Sequence, residues 1–260
     1  MNDTSPLEIE KVDIPAASEL APFAPDPEWL EENKVVSFKR RDIKARPFNL
    51  LRSQVLKKAE ANGWGIIGIT SATPGVGKSF LTANLAAALS KLPERQVYLF
   101  DLDVRRGTLA ELFGLEQDYG LVEYLTEPGI SLNQVGRSIG DNGLSFYPSF
   151  TGGDLSAELF GTPRFHGLVE AMRGLPDKAI VLCDLPPAFA NDDAMIITQQ
   201  LDAYLLVVEQ GQTTQAQLRD AVRLLNPAPC LGTVLNRYQG GFGDSYGYGY
   251  GYNDKYDKYY

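Results

Sequence analysis

The stretch Ser71-Ala72-Thr73-Pro74-Gly75-Val76-Gly77-Lys78-Ser79 constrains the fold more than any other part of the chain. The apolar run Trp64 to Thr70 before it predicts a buried strand, and Phe80 to Leu89 after it predicts a helix. A strand, a glycine-containing turn closing on Gly-Lys-Ser, and a helix together make a phosphate-binding loop. That chemistry needs these residue types. Gly75 and Gly77 let the backbone turn successive N–H groups toward a polyphosphate, and the helix start adds partial positive charge. Lys78 can reach the terminal phosphates, and the Ser79 hydroxyl is a candidate Mg²⁺ ligand. The nucleotide contacts expected here are Pro74, Gly75, Val76, Gly77, Lys78, Ser79 and Phe80. Ala72 stands where the consensus opens with glycine, a change that costs little where φ is negative, and Pro74 stiffens the turn. The competing reading is an ordinary glycine-rich turn between strand and helix, and the flanking elements weigh against it. The expected ligand is a nucleoside triphosphate.

At 260 residues the chain suits one α/β domain with appended tails. A net charge of −9 argues against a general nucleic-acid binder, which needs a basic footprint. Cys183 and Cys230 lie in apolar, strand-like runs and are expected to be buried free thiols in a reducing compartment. No apolar run is long enough to span a membrane, and the N-terminus lacks the pattern of a signal peptide. The expectation is a cytoplasmic protein with no span of its own and no nucleic-acid partner.

Along the chain, residues 1–45 read as a disordered or linker-like tail, acidic and proline-containing through 33. A basic patch of Lys34, Lys39, Arg40, Arg41, Lys44 and Arg46 follows. A domain is expected over 46–239. It opens with Pro47 and an amphipathic helix from Phe48 to Ala61. Beyond the phosphate loop, strands are expected at 96–100, 144–148, 179–183, 203–208 and 231–235. Helices are expected near 108–113, 121–126, 162–173 and 214–225. Alternating strands and helices predict an α/β fold, a mostly parallel sheet with helices on both faces. Ligands collect at the carboxyl ends of strands in such sheets, where the phosphate loop, Asp101, Asp103 and Asp184 all fall.

An acid closing an apolar strand, as Asp184 does, can hold Mg²⁺ or its water shell. Asp101 and Asp103, one residue apart at another strand end, can tune the metal, and one can accept a proton from an attacking hydroxyl. Arg105 and Arg106 are placed to contact phosphate oxygens, a partner or only solvent. His166 lies in an apolar helical pattern and reads as a packing or surface residue. The segment 240–260 has no aliphatic residue and reads as a flexible tail. Its accessible phenols are Tyr246, Tyr248, Tyr250, Tyr252, Tyr256, Tyr259 and Tyr260.

The Ser71–Ser79 loop, the Phe100-Asp101-Leu102-Asp103-Val104-Arg105-Arg106-Gly107 segment and Cys183-Asp184-Leu185-Pro186-Pro187 resemble the three Walker-type motifs of one family. These are the bacterial tyrosine kinases of capsular and extracellular polysaccharide synthesis, and the tyrosine-rich C-terminus completes the pattern. The similarity runs from about residue 46 to 260. It implies a P-loop NTPase-type α/β domain related to the MinD/ParA ATPases, using ATP and Mg²⁺. It implies that Lys78 and the loop amides hold the β- and γ-phosphates, and that Ser79 and Asp184 serve Mg²⁺. Asp101 and Asp103 would shape the metal shell, with Asp101 taking the phenol proton. Asn236 and Arg237 match the place where relatives contact the adenine base. Tail tyrosines would be phosphorylated in trans within a homo-oligomeric ring. The family's ring motif Glu-x-x-Arg-x-x-Arg is here Arg46, Asn49 and Arg52, so only the last position matches. The chain resembles the split form, which a separate membrane protein of the chain-length-regulator type activates and recruits to the inner face of the membrane. Two other readings stand beside this autokinase. One is a MinD/ParA-like ATPase, although Ala72-Thr73-Pro74 lacks the early lysine such loops usually carry. The other is a nucleotide-gated, non-enzymatic scaffold of the export complex.

Overall fold

The computed structural model describes residues 12–39, 42–140, 143–150 and 157–239. The strands are β1 (Ala21–Phe23), β2 (Ile66–Ser71), β3 (Gln96–Asp101), β4 (Arg137–Ile139), β5 (Leu144–Tyr147), β6 (Ala179–Asp184), β7 (Ala203–Glu209) and β8 (Cys230–Asn236). They form one sheet in the order β1-β4-β5-β3-β6-β2-β7-β8. Every neighbouring pair is parallel except β4 with β5. The central strands β2 and β6 are buried at every position, because helices cover both faces. That is why they read as unbroken apolar runs.

The helices are α1 (Pro27–Glu32), α2 (Arg46–Asn62), α3 (Lys78–Leu89), α4 (Thr108–Phe113), α5 (Leu121–Thr126), α6 (Leu132–Val135), α7 (Pro163–Arg173), α8 (Asp193–Thr198) and α9 (Gln215–Leu225). Side chains alternate along the strands and divide the core in two. Ile67, Ile69, Leu99 and Leu182 pack with α2, α3 and α4 on one face. Ile66, Phe100, Val181 and Cys183 pack with α5, α7 and α8 on the other. Burying each such isoleucine or leucine contributes about 1.5–3 kcal/mol. α3 is buried almost all round. The phosphate loop therefore sits on a rigid pedestal of sheet and helix.

The six expected strands and six expected helices are all present, with ends shifted by one or two residues. The linker-like tail needs correction over 12–39 and 42–45, which are folded onto the domain; residues 1–11, Arg40 and Arg41 lie outside the described residues. β1 adds an edge strand to β4, and Leu20, Leu30, Val35 and Val36 are buried. Asn84, buried on α3, holds the segment in place. Its Oδ1 accepts from the amides of Val36 (3.0 Å) and Ser37 (3.2 Å), and its Nδ2 donates to Lys34 O and Phe80 O. The Trp29 indole donates to Glu111 O and lies over Gly114. Asp26-Pro27 is a helix start: the Asp26 side chain accepts from Glu28 N, and proline opens the first turn. Of the basic patch, Lys39 and Lys44 are exposed and pair with Glu31.

Cys183 is buried as expected, but Cys230 is exposed, because β8 is an edge strand with one side uncovered. Both thiols are free. Arg52, the one match to the ring motif, donates to Ala88 O at the end of α3 (2.9 Å), a cation meeting the carbonyl end of a helix. His166 is half-buried on α7, its Nδ1 2.8 Å from Thr162 O. No described helix is long and apolar enough to cross a membrane.

Candidate active site

The loop between β2 and α3 needs glycine twice. Gly75 (φ +79°) and Gly77 (φ +89°) both lie in the left-handed region. At Gly77 a Cβ would also come within 2.3 Å of Asn236 Nδ2. Ala72 is buried and does not take a positive φ, so alanine fits where the consensus has glycine. The loop is tied to its surroundings. Asn236 Nδ2 donates to Val76 O (2.8 Å), and the chain after β6 donates from Ala188 N to Ser71 O and from Phe189 N to Ala72 O.

Lys78 and the three aspartates converge at the carboxyl ends of β2, β3 and β6. β3 and β6 pair in a register that sets Asp101 opposite Asp184, and Leu102 N donates to Asp184 O. Lys78 Nζ lies 2.7 Å from Asp103 Oδ2 and 3.3 Å from Asp184 Oδ2. Asp184 also accepts from Ser79 Oγ (2.5 Å) and Thr82 Oγ1 (2.9 Å). Thr82, one turn along α3 from Lys78, is a site residue that the motif alone did not reveal. Its spacing on the inward face of α3 was the available signal. Asp101 faces inward, accepting from the amides of Asp103 (3.2 Å) and Leu109 (3.1 Å). It shapes the turn that carries Asp103.

Three buried carboxylates against one ammonium make a cation-poor site. Burial, and next the charge of Asp184, push the Asp101 carboxyl well above its ordinary value. Burial also raises Asp184, although Lys78 and the Ser79 hydroxyl oppose the shift. For Lys78 burial works toward a lower pKa, but Asp184 and Asp103 outweigh it and hold the ammonium above the usual lysine range. The donors are hard oxygens, Ser79 Oγ and aspartate carboxylates, which suit Mg²⁺. Among the described residues no three acidic, imidazole or thiol side chains form a closed metal cage.

Beside the loop a cavity of about 410 Å³ opens between Thr73, Pro74 and Gly75 on one side and Glu209, Gln212, Gln217 and Arg237 on the other. Arg237 has a positive φ (+53°), and its Nη1 lies 2.8 Å from Glu209 Oε1. Asn236 and Arg237 are thus at the loop, one bonded to it and one lining the cavity. Phe80 is half-buried behind the loop, its ring 5.6 Å from that of Phe48 on α2. It supports the helix start from behind. A larger concavity, about 530 Å³, opens at the opposite ends of β2 and β6 beside Trp64 and Lys178, away from these groups. The tyrosines of the C-terminal segment lie outside the described residues.

Comparison with known proteins bears on the family and the fold. The CobQ/CobB/MinD/ParA nucleotide binding domain matches residues 67–245. The chain is 32% identical over 204 residues to EpsB of Ralstonia nicotianae, a candidate tyrosine-protein kinase by name, covering 76% of this chain and 27% of that one. It thus spans about a quarter of the length of that relative. It is 27% identical over 211 residues to the tyrosine-protein kinase YwqD of Bacillus subtilis, covering 80% and 86% of the two chains. The solved kinase domain of the Escherichia coli tyrosine kinase ETK superposes with a TM-score of 0.73 at 26% identity, covering 90% of this chain and 94% of the other. The chain therefore belongs to the CobQ/CobB/MinD/ParA family of nucleotide-binding domains, in the branch populated by bacterial tyrosine-kinase domains.

Proposed function

We propose that this chain is an ATP-dependent protein-tyrosine kinase whose acceptors are tyrosines of its own C-terminal segment, acting in exopolysaccharide or capsule polymerisation and export. The observation that carries the reading is the double engagement of Lys78 by Asp103 and Asp184. It joins two acidic strand ends to a phosphate loop, one acidic element more than binding Mg²⁺ and a phosphate chain requires. Names of relatives such as YwqD and ETK support the reaction type.

In this reading the amides of 74–79 and the Lys78 ammonium hold the β- and γ-phosphates. The cavity bounded by Arg237 takes the base, with Asn236 bracing the loop from behind. Ser79 and Asp184 would hold Mg²⁺, with Asp103 beside them. The ion would neutralise charge on the transferring phosphoryl group. One carboxylate of the Asp101/Asp103 pair would take the phenol proton, a role this reading gives to Asp101, which lies at the end of β3 and accepts from the amides of Asp103 and Leu109. A phenol with a pKa of about 10 requires that help at neutral pH. The rest of the chemistry is positioning and charge neutralisation. Acceptor tyrosines 246, 248, 250, 252, 256, 259 and 260 would arrive from a second copy. A membrane protein of the chain-length-regulator type would activate the chain and hold it at the inner membrane face.

Intact mass after incubation with Mg-ATP tests the proposal, comparing wild type with Lys78→Met, both with the activator's cytoplasmic segment present. The expected result is successive phosphate additions in the wild type, mapping to 246–260, and none in Lys78→Met. A wild type that hydrolyses ATP under these conditions yet gains no phosphate would overturn the kinase reading and leave a MinD/ParA-like ATPase.

A further inference from the structure

Arg105 has a part to play that the proposed reaction leaves unused. It lies two residues beyond Asp103, in the turn between β3 and α4, and its guanidinium crosses to the segment that follows β6. There its Nε donates to Asp193 Oδ2 at 3.2 Å. Asp193 is 1% exposed, and Arg105 is its sole charged partner among the described residues. The Asp193 backbone amide donates to Asn191 Oδ1 (3.2 Å), while the carboxylate's other oxygen, Oδ1, is buried without a hydrogen-bond partner among the described residues. The Arg105 side chain remains 38% exposed, and neither Nη group has a hydrogen-bond partner among the described residues. An arginine gripped through Nε by a buried carboxylate has its fork aimed before any ligand arrives. Little rotamer entropy is then left to lose when an oxyanion is bound.

We propose that Arg105, positioned by Asp193, is an oxyanion-recognition residue at the mouth of the site. Its two Nη groups would grip paired oxygens arriving between the β3 and β6 strand ends. The inference rests on the proposed phosphate-loop chemistry and adds a second cation, carried two residues beyond Asp103 in the turn after β3. The site needs one: Asp101, Asp103 and Asp184 are buried with a single ammonium among them. Two sources share the chemistry of paired oxygens. One is the γ-phosphate of the nucleotide. The other is a carboxylate flanking the acceptor tyrosines, such as Asp254 or Asp257. Both match a guanidinium fork better than a lysine point charge.

Titration calorimetry of Mg-AMPPNP, Mg-ADP and a peptide of residues 246–260 tests this in wild type, Arg105→Ala, Arg105→Lys, Asp193→Asn and the Arg105→Ala/Asp193→Asn double variant. If the oxyanion is the γ-phosphate, Arg105→Ala weakens AMPPNP by about tenfold to a hundredfold and leaves ADP unchanged. If it is the acceptor carboxylate, peptide affinity falls by a similar factor and both nucleotides bind as before. Added methylguanidinium should restore part of the loss in Arg105→Ala, which a purely structural defect would not allow. Arg105→Lys keeps a cation beside Asp193 but lacks the fork, so it should keep the fold and still lose affinity. Asp193→Asn should reproduce the loss, and the double variant should be no worse than Arg105→Ala. Folded Arg105→Ala with all three affinities within about twofold of wild type would overturn the inference. Additive losses in the double variant would overturn the positioning role of Asp193. Binding is read without turnover, so a chain that binds AMPPNP through Arg105 but never forms phosphotyrosine sinks the kinase reading alone.

Discussion

Gly77 shows how two demands meet in one residue. Its φ of +89° costs an L-residue about 1–2 kcal/mol. A methyl group there would also strike Asn236 Nδ2 at 2.3 Å and unseat its bond to Val76 O. Gly77→Ala should therefore weaken Mg-ATP binding by about tenfold or more, by the backbone cost alone. Titration with a fluorescent ATP analogue checks this, and wild-type affinity in the variant would show the loop to be softer than its geometry. The glycine pattern was legible in the sequence because it is local. The part played by Asn236 was not, because its partner Val76 lies at the other end of the domain in sequence. Likewise Asp101 and Asp103 announced themselves as a pair, but no spacing rule told which would face Lys78 and which would turn to the amides of 103 and 109.

Elements with a strong period were easy to read, and those defined by a distant partner were hidden. β2, β6 and β7 are buried apolar runs, so their strand character is written into composition. β1 and β4 are three residues each and exist only through their pairing. The folded segment before α2 is the sharpest case. It has no sustained periodicity and is secured by Asn84, a polar residue inside the apolar helix α3. Asn84→Ala removes the acceptor for two buried amides and should cost about 2–6 kcal/mol of stability, each orphaned donor contributing about 1–3 kcal/mol. Urea unfolding should show a lower midpoint with an unchanged slope. A lower slope instead would mean that residues 12–39 detach as a unit in the folded variant. Within it Asp26 caps and Pro27 opens α1, a helix start set among prolines and acids that read as linker.

For the whole molecule, the fold class followed from strand–helix alternation, while the strand order could not be read from it. The sequence neighbours β2 and β3 are separated in the sheet by β6, and that insertion is what brings Asp184 between the phosphate loop and Asp101. The proposed reaction divides the chain into a binding domain and an acceptor segment. Deleting 240–260 should remove most incorporated phosphate while leaving Mg-ATP affinity unchanged, measured by mass and by titration in parallel. Phosphate persisting on the truncated chain would place the main acceptor within the domain, with the exposed Tyr119 a first position to map.

The level pairing of Asp101 with Asp184 has one more consequence. Neither strand alone holds a binding site; the acidic mouth comes into being only when two distant stretches of chain lie side by side without a slip. A shift of one residue would move a carboxylate by about 3.3 Å and turn its side chain to the other face of the sheet. A nucleotide that grips this mouth therefore recognises the finished sheet and nothing short of it. By mass action it draws the chain toward that state. The ligand acts as an inspector of the fold, rewarding the correctly assembled centre and ignoring near misses.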